Sequence, residues 1–314
     1  MKLHENRKLF KELILAVANK KELSEVFVEK DYWISYVLFR LSKSKYVNQV
    51  VFKGGTSLSK GYNLIDRFSE DVDIAVINES GKTNNAIKTL IRSVEKEITI
   101  GLAEINVEGV TSKGSQFRKS LFEYKTILTR NEANKLIVEV NAFANPFPFN
   151  KLSITSFIHD FLYDLKENEY IDEFQLQPFS INVLSKEQTL QEKLASLIRF
   201  SFSEDYILGI SSKIRHFYDL HFLMQDDDCI LFLKSDVFKE RFHQLLENDK
   251  QIFDEPLGWV EKDLYNSPLL IDFDGCWKNL KKKYENELST LAYRKIPTEQ
   301  MISNSFKKLI SLIK

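Results

Sequence analysis

The chain has little cysteine: Cys229 and Cys276 are the only two in 314 residues. They stand far apart, with no metal-ligand spacing around either. A disulfide framework and a cysteine-bound zinc are therefore not expected, and the pair reads as reduced thiols of a cytoplasmic protein. Glycine and proline are also scarce, at 10 and 6, while phenylalanine reaches 24. That balance favours a helix-rich chain with a firmly packed core. Charge of one sign is lacking too. The net charge is −1, so no global field draws the chain to nucleic acid or a membrane, and any such contact must use a local patch. No apolar run approaches the ~18 residues that a membrane span needs. The N-terminus, MKLHENRKLFKELILAVANKK, reads as a charged amphipathic helix rather than a signal peptide. No zinc knuckle, RNA-binding aromatic motif or internal repeat is present.

What remains is an ordinary globular composition, 43% hydrophobic and 28% charged. The length suits one large domain or two modest ones. The most informative stretch runs from Val51 to Val76 and reads as strand, glycine turn, helix, loop, strand. Gly54 and Gly55 break the apolar run, as two glycines do where a chain turns tightly or approaches a ligand. Thr56 or Ser57 is expected to cap the following helix, which Leu58, Tyr62 and Ile65 continue at helical spacing. In Asp71-Val72-Asp73-Ile74 the acids alternate with apolar residues, the period of a half-buried strand, so both carboxylates share one face.

Two carboxylates so placed can hold divalent cations, and Mg²⁺ typically binds through one or two carboxylates plus substrate phosphates. Backbone N–H groups at a glycine turn that opens a helix form an anion site for those phosphates. Gly54, Gly55, Thr56 and Ser57 are the phosphate candidates. Asp71 and Asp73 are the metal candidates. Together they supply the minimum for nucleotidyl transfer from a nucleoside triphosphate (NTP) by two-metal in-line displacement.

Gly54-Gly55-Thr56-Ser57 followed by Asp71-x-Asp73 resembles the signature of the DNA polymerase β nucleotidyltransferase superfamily. The fuller string KGGTSLSKGYNLIDRFSEDVDIAV resembles more narrowly the AbiEii/AbiGii toxin nucleotidyltransferases of bacterial abortive-infection and toxin–antitoxin pairs. Arg67, Phe68 and Ser69 match that family's Arg-Phe-Ser-x-Asp-x-Asp pattern. The gap between glycines and acids is longer than in the generic superfamily motif. The resemblance covers roughly residues 25–225.

The resemblance implies further site residues. The superfamily carries a third metal-binding carboxylate on a strand beside Asp-x-Asp. Glu139, in the apolar run Leu136 to Ala142, is the candidate for that place. The alternative is a solvent-facing residue on an edge strand, since an isolated buried carboxylate is costly. Glu192-Lys193-Leu194-Ala195 resembles a second motif, in which a lysine faces the nucleotide. By spacing, Lys193 shares the face of Leu190, Leu194 and Leu197, where it either snorkels to the rim or reaches a cleft as a point charge for phosphate. Lys213 to Leu220 resembles the family's basic-x-x-Phe-Tyr-Asp-Leu helix, with Asp219 as its acid. Asp219 either orients Lys193 or acts as an active-site acid; the bland reading pairs it with Arg215 at the surface. Glu29-Lys30-Asp31-Tyr32-Trp33 has a family counterpart, but reads most simply as an amphipathic helix with its charges in water.

The rest of the chain yields a coarse map. Residues 1–44 read as two helices and 81–97 as a charged helix. Ile98 to Gly109, Ser120 to Thr129 and Leu136 to Ala142 read as strands. Asn145 to Asn150, with two prolines, reads as a linker, and 151–168 as a connector with some helix. A strand is expected within Gln175 to Leu184, and helices from Ser185 onward with breaks near Pro256, Pro268 and Pro297. Asp226-Asp227-Asp228 reads as a solvated loop, and His216 and His221 as ordinary helix residues.

The expected fold is α+β, with a nucleotidyltransferase-like sheet and helices over residues 1–150 and a mainly helical domain over 151–314 that completes the cleft. The expected activity is Mg²⁺-dependent transfer of a nucleoside monophosphate from an NTP, catalysed by Asp71, Asp73, Glu139, Lys193 and Asp219. The resemblance implies RNA such as tRNA as acceptor and a cognate antitoxin as partner. No membrane role is expected. Lys278, Lys281, Lys282, Lys283, Arg294, Lys295, Lys307, Lys308 and Lys314 are either a solvated face or an RNA-contacting surface. Two other readings remain open at this stage: a nucleotidyltransferase acting on antibiotic-like small molecules, and a non-catalytic nucleotide- or partner-binding protein.

Overall fold

The computed structural model describes residues 1–69, 71–78, 83–128 and 134–313. Residues 81 and 82 of the expected charged helix, Thr129 of an expected strand, and Lys314 lie outside the described residues. The fold is α+β. Its contacts divide into a sheet unit, 1–63 with 68–184, and a helical unit, 64–67 with 185–314.

In the sheet unit, α1 (Arg7–Lys21) and α2 (Glu25–Lys43) precede β1 (Val50–Lys53), α3 (Gly54–Lys60) and β2 (Asp71–Val76). Then come α4 (Asn84–Ile98), β3 (Ala103–Ile105), β4 (Ser112–Lys113), β5 (Phe117–Glu123) and β6 (Lys135–Asn141). β7 (Phe149–Ile154), α5 (Phe157–Asp164), α6 (Asn168–Glu173) and β8 (Phe179–Leu184) complete it. Among the described residues the strands form one mixed sheet in the order β3-β5-β6-β2-β1-β8-β7, with β4 beside β5. β2 runs antiparallel to β1 and parallel to β6. The alternation in β2 works as the sequence implies. Val72 and Ile74 are buried in one core with Val138 and Val140 of β6 and with apolar residues of α1, α2 and α4. Asp71 and Asp73 stay half-buried on the opposite face.

Several local expectations are corrected. The short helix opens at Gly54 itself, with Lys53 at the N-cap position and no side-chain capping bond there. Thr56 and Ser57 lie inside α3 and do not cap it. The helix also stops at Lys60, before Tyr62 and Ile65. Ile98 closes α4 instead of opening a strand. The connector at 151–168 begins as β7, which pairs along its whole length with β8. Asp226 caps α10 (Asp227–Leu233) through the Cys229 N–H and pairs with Lys186, so this acidic run opens a helix and is not a solvated loop.

The charges of Glu29-Lys30-Asp31 do not face water: all three residues are buried. Glu29 accepts from the Thr126 hydroxyl (2.7 Å) and the Ile127 N–H (2.9 Å). Asp31 pairs with Lys60, at the end of α3, and accepts from the Phe157 N–H that opens α5. Burial pushes both carboxyls up in pKa, and these partners oppose the push. A buried carboxylate persists only when paired in this way. The consequence is positional: α2 fixes the far end of the helix that carries the glycine turn.

The helical unit contains α7 (Lys186–Phe200), α8 (Tyr206–Ser211), α9 (Ile214–Leu223), α10, α11 (Asp236–Ile252), α12 (Pro268–Ile271), α13 (Phe273–Leu291) and α14 (Glu299–Ile313). Ser185, Asp205, Asp226, Ser235 and Asp272 cap five of them through side-chain oxygens, as these residue types do. α9 lies at the centre. Phe217 packs on Trp277 and Phe306 with ring centroids 5.2 and 4.9 Å apart. The segment Leu64–Arg67 belongs here although its flanks belong to the sheet unit. The Tyr218 hydroxyl accepts from the Asp66 N–H, the Tyr293 N–H donates to the Asp66 carbonyl, and the Tyr293 hydroxyl donates to the Ile65 carbonyl.

Candidate active site

Two adjacent strands, β2 and β6, bring the acids of the sheet unit together. In the β2–β6 register, Asp73 faces Glu139 and Asp71 faces Ile137. Strand alternation therefore sets Asp71, Asp73 and Glu139 on one face, with Glu139 level with Asp73. Glu139 is not on an edge strand, since β6 lies between β2 and β5. Its carboxylate Oε1 is 2.7 Å from Lys119 Nζ on β5. Burial lowers the Lys119 pKa, but the bond to Glu139 and the charges of Asp71 and Asp73 more than offset this and hold it above the usual lysine value. Among the described residues no three His, Cys, Asp or Glu side chains converge at metal-ligand range. The donor chemistry still fits a hard divalent cation, because three carboxylates on one face already attract the Lys119 ammonium as a cation among them.

The glycine turn reaches this cluster directly. Gly54 has φ +80°, the left-handed region, and a Cβ built there would lie 2.0 Å from Asp73 Oδ2. No other residue type fits without moving that carboxylate. Behind it, the Thr56 hydroxyl donates to the Asp71 carbonyl (2.6 Å) and the Ser57 hydroxyl to the Gly54 carbonyl (2.8 Å). Both residues are buried. The Thr56 proton thus braces the turn against β2, while that of Ser57 closes the first turn of α3 on Gly54. What the turn offers a phosphate is its backbone N–H groups, since the first N–H groups of a helix have no intrahelical acceptor.

In the helical unit, Lys193 of α7 and Asp219 of α9 are in contact, Nζ to Oδ2 2.7 Å. Asp219 is fully buried and also accepts two bonds from Arg67, Nε to Oδ1 and Nη2 to Oδ2, both 2.6 Å. Burial alone would raise the Asp219 pKa; the Arg67 guanidinium and Lys193 ammonium reverse this and hold it well below the usual carboxylate range. The expected surface pair with Arg215 does not form, since Arg215 Nε bonds Glu287 Oε1 at 2.8 Å. His216 sits one turn before Asp219. Burial, then Lys193, pushes its pKa far down, so the ring is neutral, and its buried Nδ1 has no hydrogen-bond partner among the described residues.

A strand–glycine turn–helix–Asp-x-Asp unit and a Lys–Asp pair on two later helices are the features by which the chain can be compared with known proteins. The family model described as "Nucleotidyl transferase AbiEii toxin, Type IV TA system" matches residues 36–301. The chain belongs to the AbiEii toxin family. It is accordingly a nucleotidyltransferase of the toxin–antitoxin class. This AbiEii chain is also similar to the solved structure of MenT4, a nucleotidyltransferase toxin from Mycobacterium tuberculosis. The identity is 17%, with 98% of this chain and 99% of that chain covered and a TM-score of 0.46. No protein with a curated description matches.

Two residues of this AbiEii chain that were not assigned to the site from the sequence contact candidates: Arg67 bonds Asp219 in the helical unit, and Lys119 bonds Glu139 in the sheet unit. Arg67 was visible in the Arg-Phe-Ser string, but its partner lies 152 positions away. Lys119 gave no signal, as one lysine in a charged strand looks like any other.

Proposed function

We propose that the protein is a Mg²⁺-dependent toxin that transfers a nucleoside monophosphate from an NTP to an RNA acceptor such as tRNA. The observation that carries the reading is the contact of the Gly54 backbone with the Asp73 carboxylate in a chain of this family. It supports the reading that the glycine turn, our candidate phosphate cradle, works together with the Asp-x-Asp acids.

In this reading the backbone of Gly54, Gly55, Thr56 and Ser57 cradles the triphosphate. Asp71 and Asp73 hold Mg²⁺, with Glu139 as the third carboxylate. The metal would supply charge neutralisation at the reacting phosphate and its leaving group. The acceptor hydroxyl oxygen forms a bond to the α-phosphorus as the bond to the bridging oxygen of the β-phosphate breaks, and pyrophosphate leaves. The hydroxyl proton passes to a carboxylate of the cluster, for which Glu139 is our assignment. Lys193 offsets phosphate charge, the role the family resemblance implies, and Asp219 fixes the direction of its ammonium. A cognate antitoxin is the expected partner. No helix among the described residues is long and apolar enough to cross a membrane.

The test is incubation of the purified protein with Mg²⁺, each labelled NTP in turn and total cellular RNA, beside an Asp71→Ala/Asp73→Ala variant. Label in a tRNA-sized band with wild type alone supports the reading and names the base. Label only in small molecules, or none in RNA despite Mg²⁺-dependent NTP binding, sinks the RNA acceptor.

A further inference from the structure

Lys119 lies in a row with two of the acids. Its Cα is the register partner of Glu139, whose Cα is in turn the partner of Asp73. Its neighbours on β5 point the other way: Arg118 and Ser120 both bond Glu95 of α4. Lys119 therefore projects onto the carboxylate face, where its ammonium meets Glu139 at 2.7 Å and feels Asp71 and Asp73. The pair is partly open to solvent, with the lysine side chain 31% and the glutamate 20% exposed, so small ions can reach it.

Three carboxylates on one face repel one another, and a cation among them relieves the repulsion. Lys119 supplies one positive charge; a divalent ion supplies two. Both draw on the same oxygens, since Glu139 Oε1 cannot bind the ammonium and a metal with full strength at once. We propose that Lys119 is a built-in competitor for the divalent cation. It retains Glu139 until a cation at Asp71 and Asp73 displaces its ammonium, and thereby sets the concentration at which Glu139 joins the metal. The proposal rests on reading Asp71 and Asp73 as metal ligands. An ordinary cross-strand ion pair, by contrast, has no reason to respond to metal.

The test uses the full chain without nucleotide and measures Mn²⁺ binding by the paramagnetic resonance of the free ion. Lys119→Met is expected to bind Mn²⁺ roughly tenfold more tightly than wild type, the scale of freeing Glu139 from one charge-assisted hydrogen bond. Lys119→Arg, which keeps the charge, is expected to stay near wild type. The gain is expected to vanish when Lys119→Met is made in a Glu139→Gln background. Equal affinity of Lys119→Met and wild type, or a gain that survives in the Glu139→Gln background, overturns the proposal. Should Asp71→Asn/Asp73→Asn bind Mn²⁺ as wild type does, the metal-ligand reading itself falls, and this proposal with it. A second measurement needs no variant: reductive methylation of wild type, read by mass spectrometry with exposed Lys281 as internal reference. Mn²⁺ is expected to raise the labelling of Lys119 relative to Lys281; unchanged labelling counts against displacement.

Discussion

At the scale of single residues, Gly54 and Asp219 make the sharpest predictions. Gly54 combines a positive φ with a carboxylate in the space a Cβ would take, whereas Gly109, at φ +76°, has nothing within 4 Å. Both Gly→Ala changes meet backbone strain of about 1 kcal/mol or more. Only the change at Gly54 must also push Asp73 aside. Gly54→Ala is therefore expected to lose nucleotidyl transfer to the level of Asp73→Ala, while Gly109→Ala keeps it; urea unfolding and transfer assays on both decide the matter. Asp219→Asn strips the carboxylate from two buried cations, a change that typically costs about 3 to 5 kcal/mol. The pH dependence follows from the direction of the shift. Because the folded pKa of Asp219 is depressed, the group's contribution is complete above the unfolded value of about 4 and declines as pH falls toward the folded one. Urea midpoints of wild type should thus drop more steeply below about pH 4 than those of Asp219→Asn. Parallel curves would show that Asp219 ionises in the fold as it does in the unfolded chain.

At the scale of elements, what could be read from sequence was set by how local the cause was. The β1-turn-helix-β2 unit and the shared face of Asp71 and Asp73 depend on neighbours a few positions apart, and both were legible. The strand of Glu139 was legible from its apolar run, and its place beside Asp-x-Asp came from the family resemblance. β7 was missed because exposed Asn150, Lys151 and Ser153 interrupt its apolar residues and leave no regular alternation; pairing with β8 makes it a strand. The buried charges of α2 were misread for the same reason. Their partners Lys60, Thr126 and Phe157 lie 29, 97 and 126 positions away, and no window along the chain can see them. That long-range bond has a testable effect. Asp31→Ala unties the end of α3 and leaves Lys60 without its carboxylate. We expect a loss of about 3 to 5 kcal/mol, the range for breaking a buried pair, with lowered protection of the α3 amides in hydrogen exchange. Normal protection would mean that the Thr56 bond to β2 and the packing of Leu58 suffice to hold this helix.

At the scale of the whole molecule, the near-zero net charge makes any RNA contact a matter of local patches. α13 offers one: Lys278, Lys281, Lys282 and Lys283 are all exposed, and one of them, Lys283, pairs with Glu287. If RNA is the acceptor, Lys278→Glu/Lys281→Glu/Lys282→Glu should weaken RNA labelling by roughly tenfold or more and flatten its dependence on salt, because fewer counterions are released on binding. NTP binding should not change. A triple variant that labels RNA with an unaltered salt slope would assign these lysines to an ordinary solvated face.

The route of the chain has a consequence for how such a protein can be inherited. Leu64–Arg67 is claimed by the helical unit, yet the residues on both sides of it belong to the sheet unit. Arg67 within it answers Asp219, and its backbone is held by Tyr218 and Tyr293. No single cut in the gene separates the two units. A recombination joint at residue 184 would deliver a sheet unit carrying an orphaned arginine loop, or a helical unit whose buried aspartate has lost its guanidinium. Shuffling between relatives at that joint works only if the donor also brings a matching four-residue loop, so the two units must diverge in step.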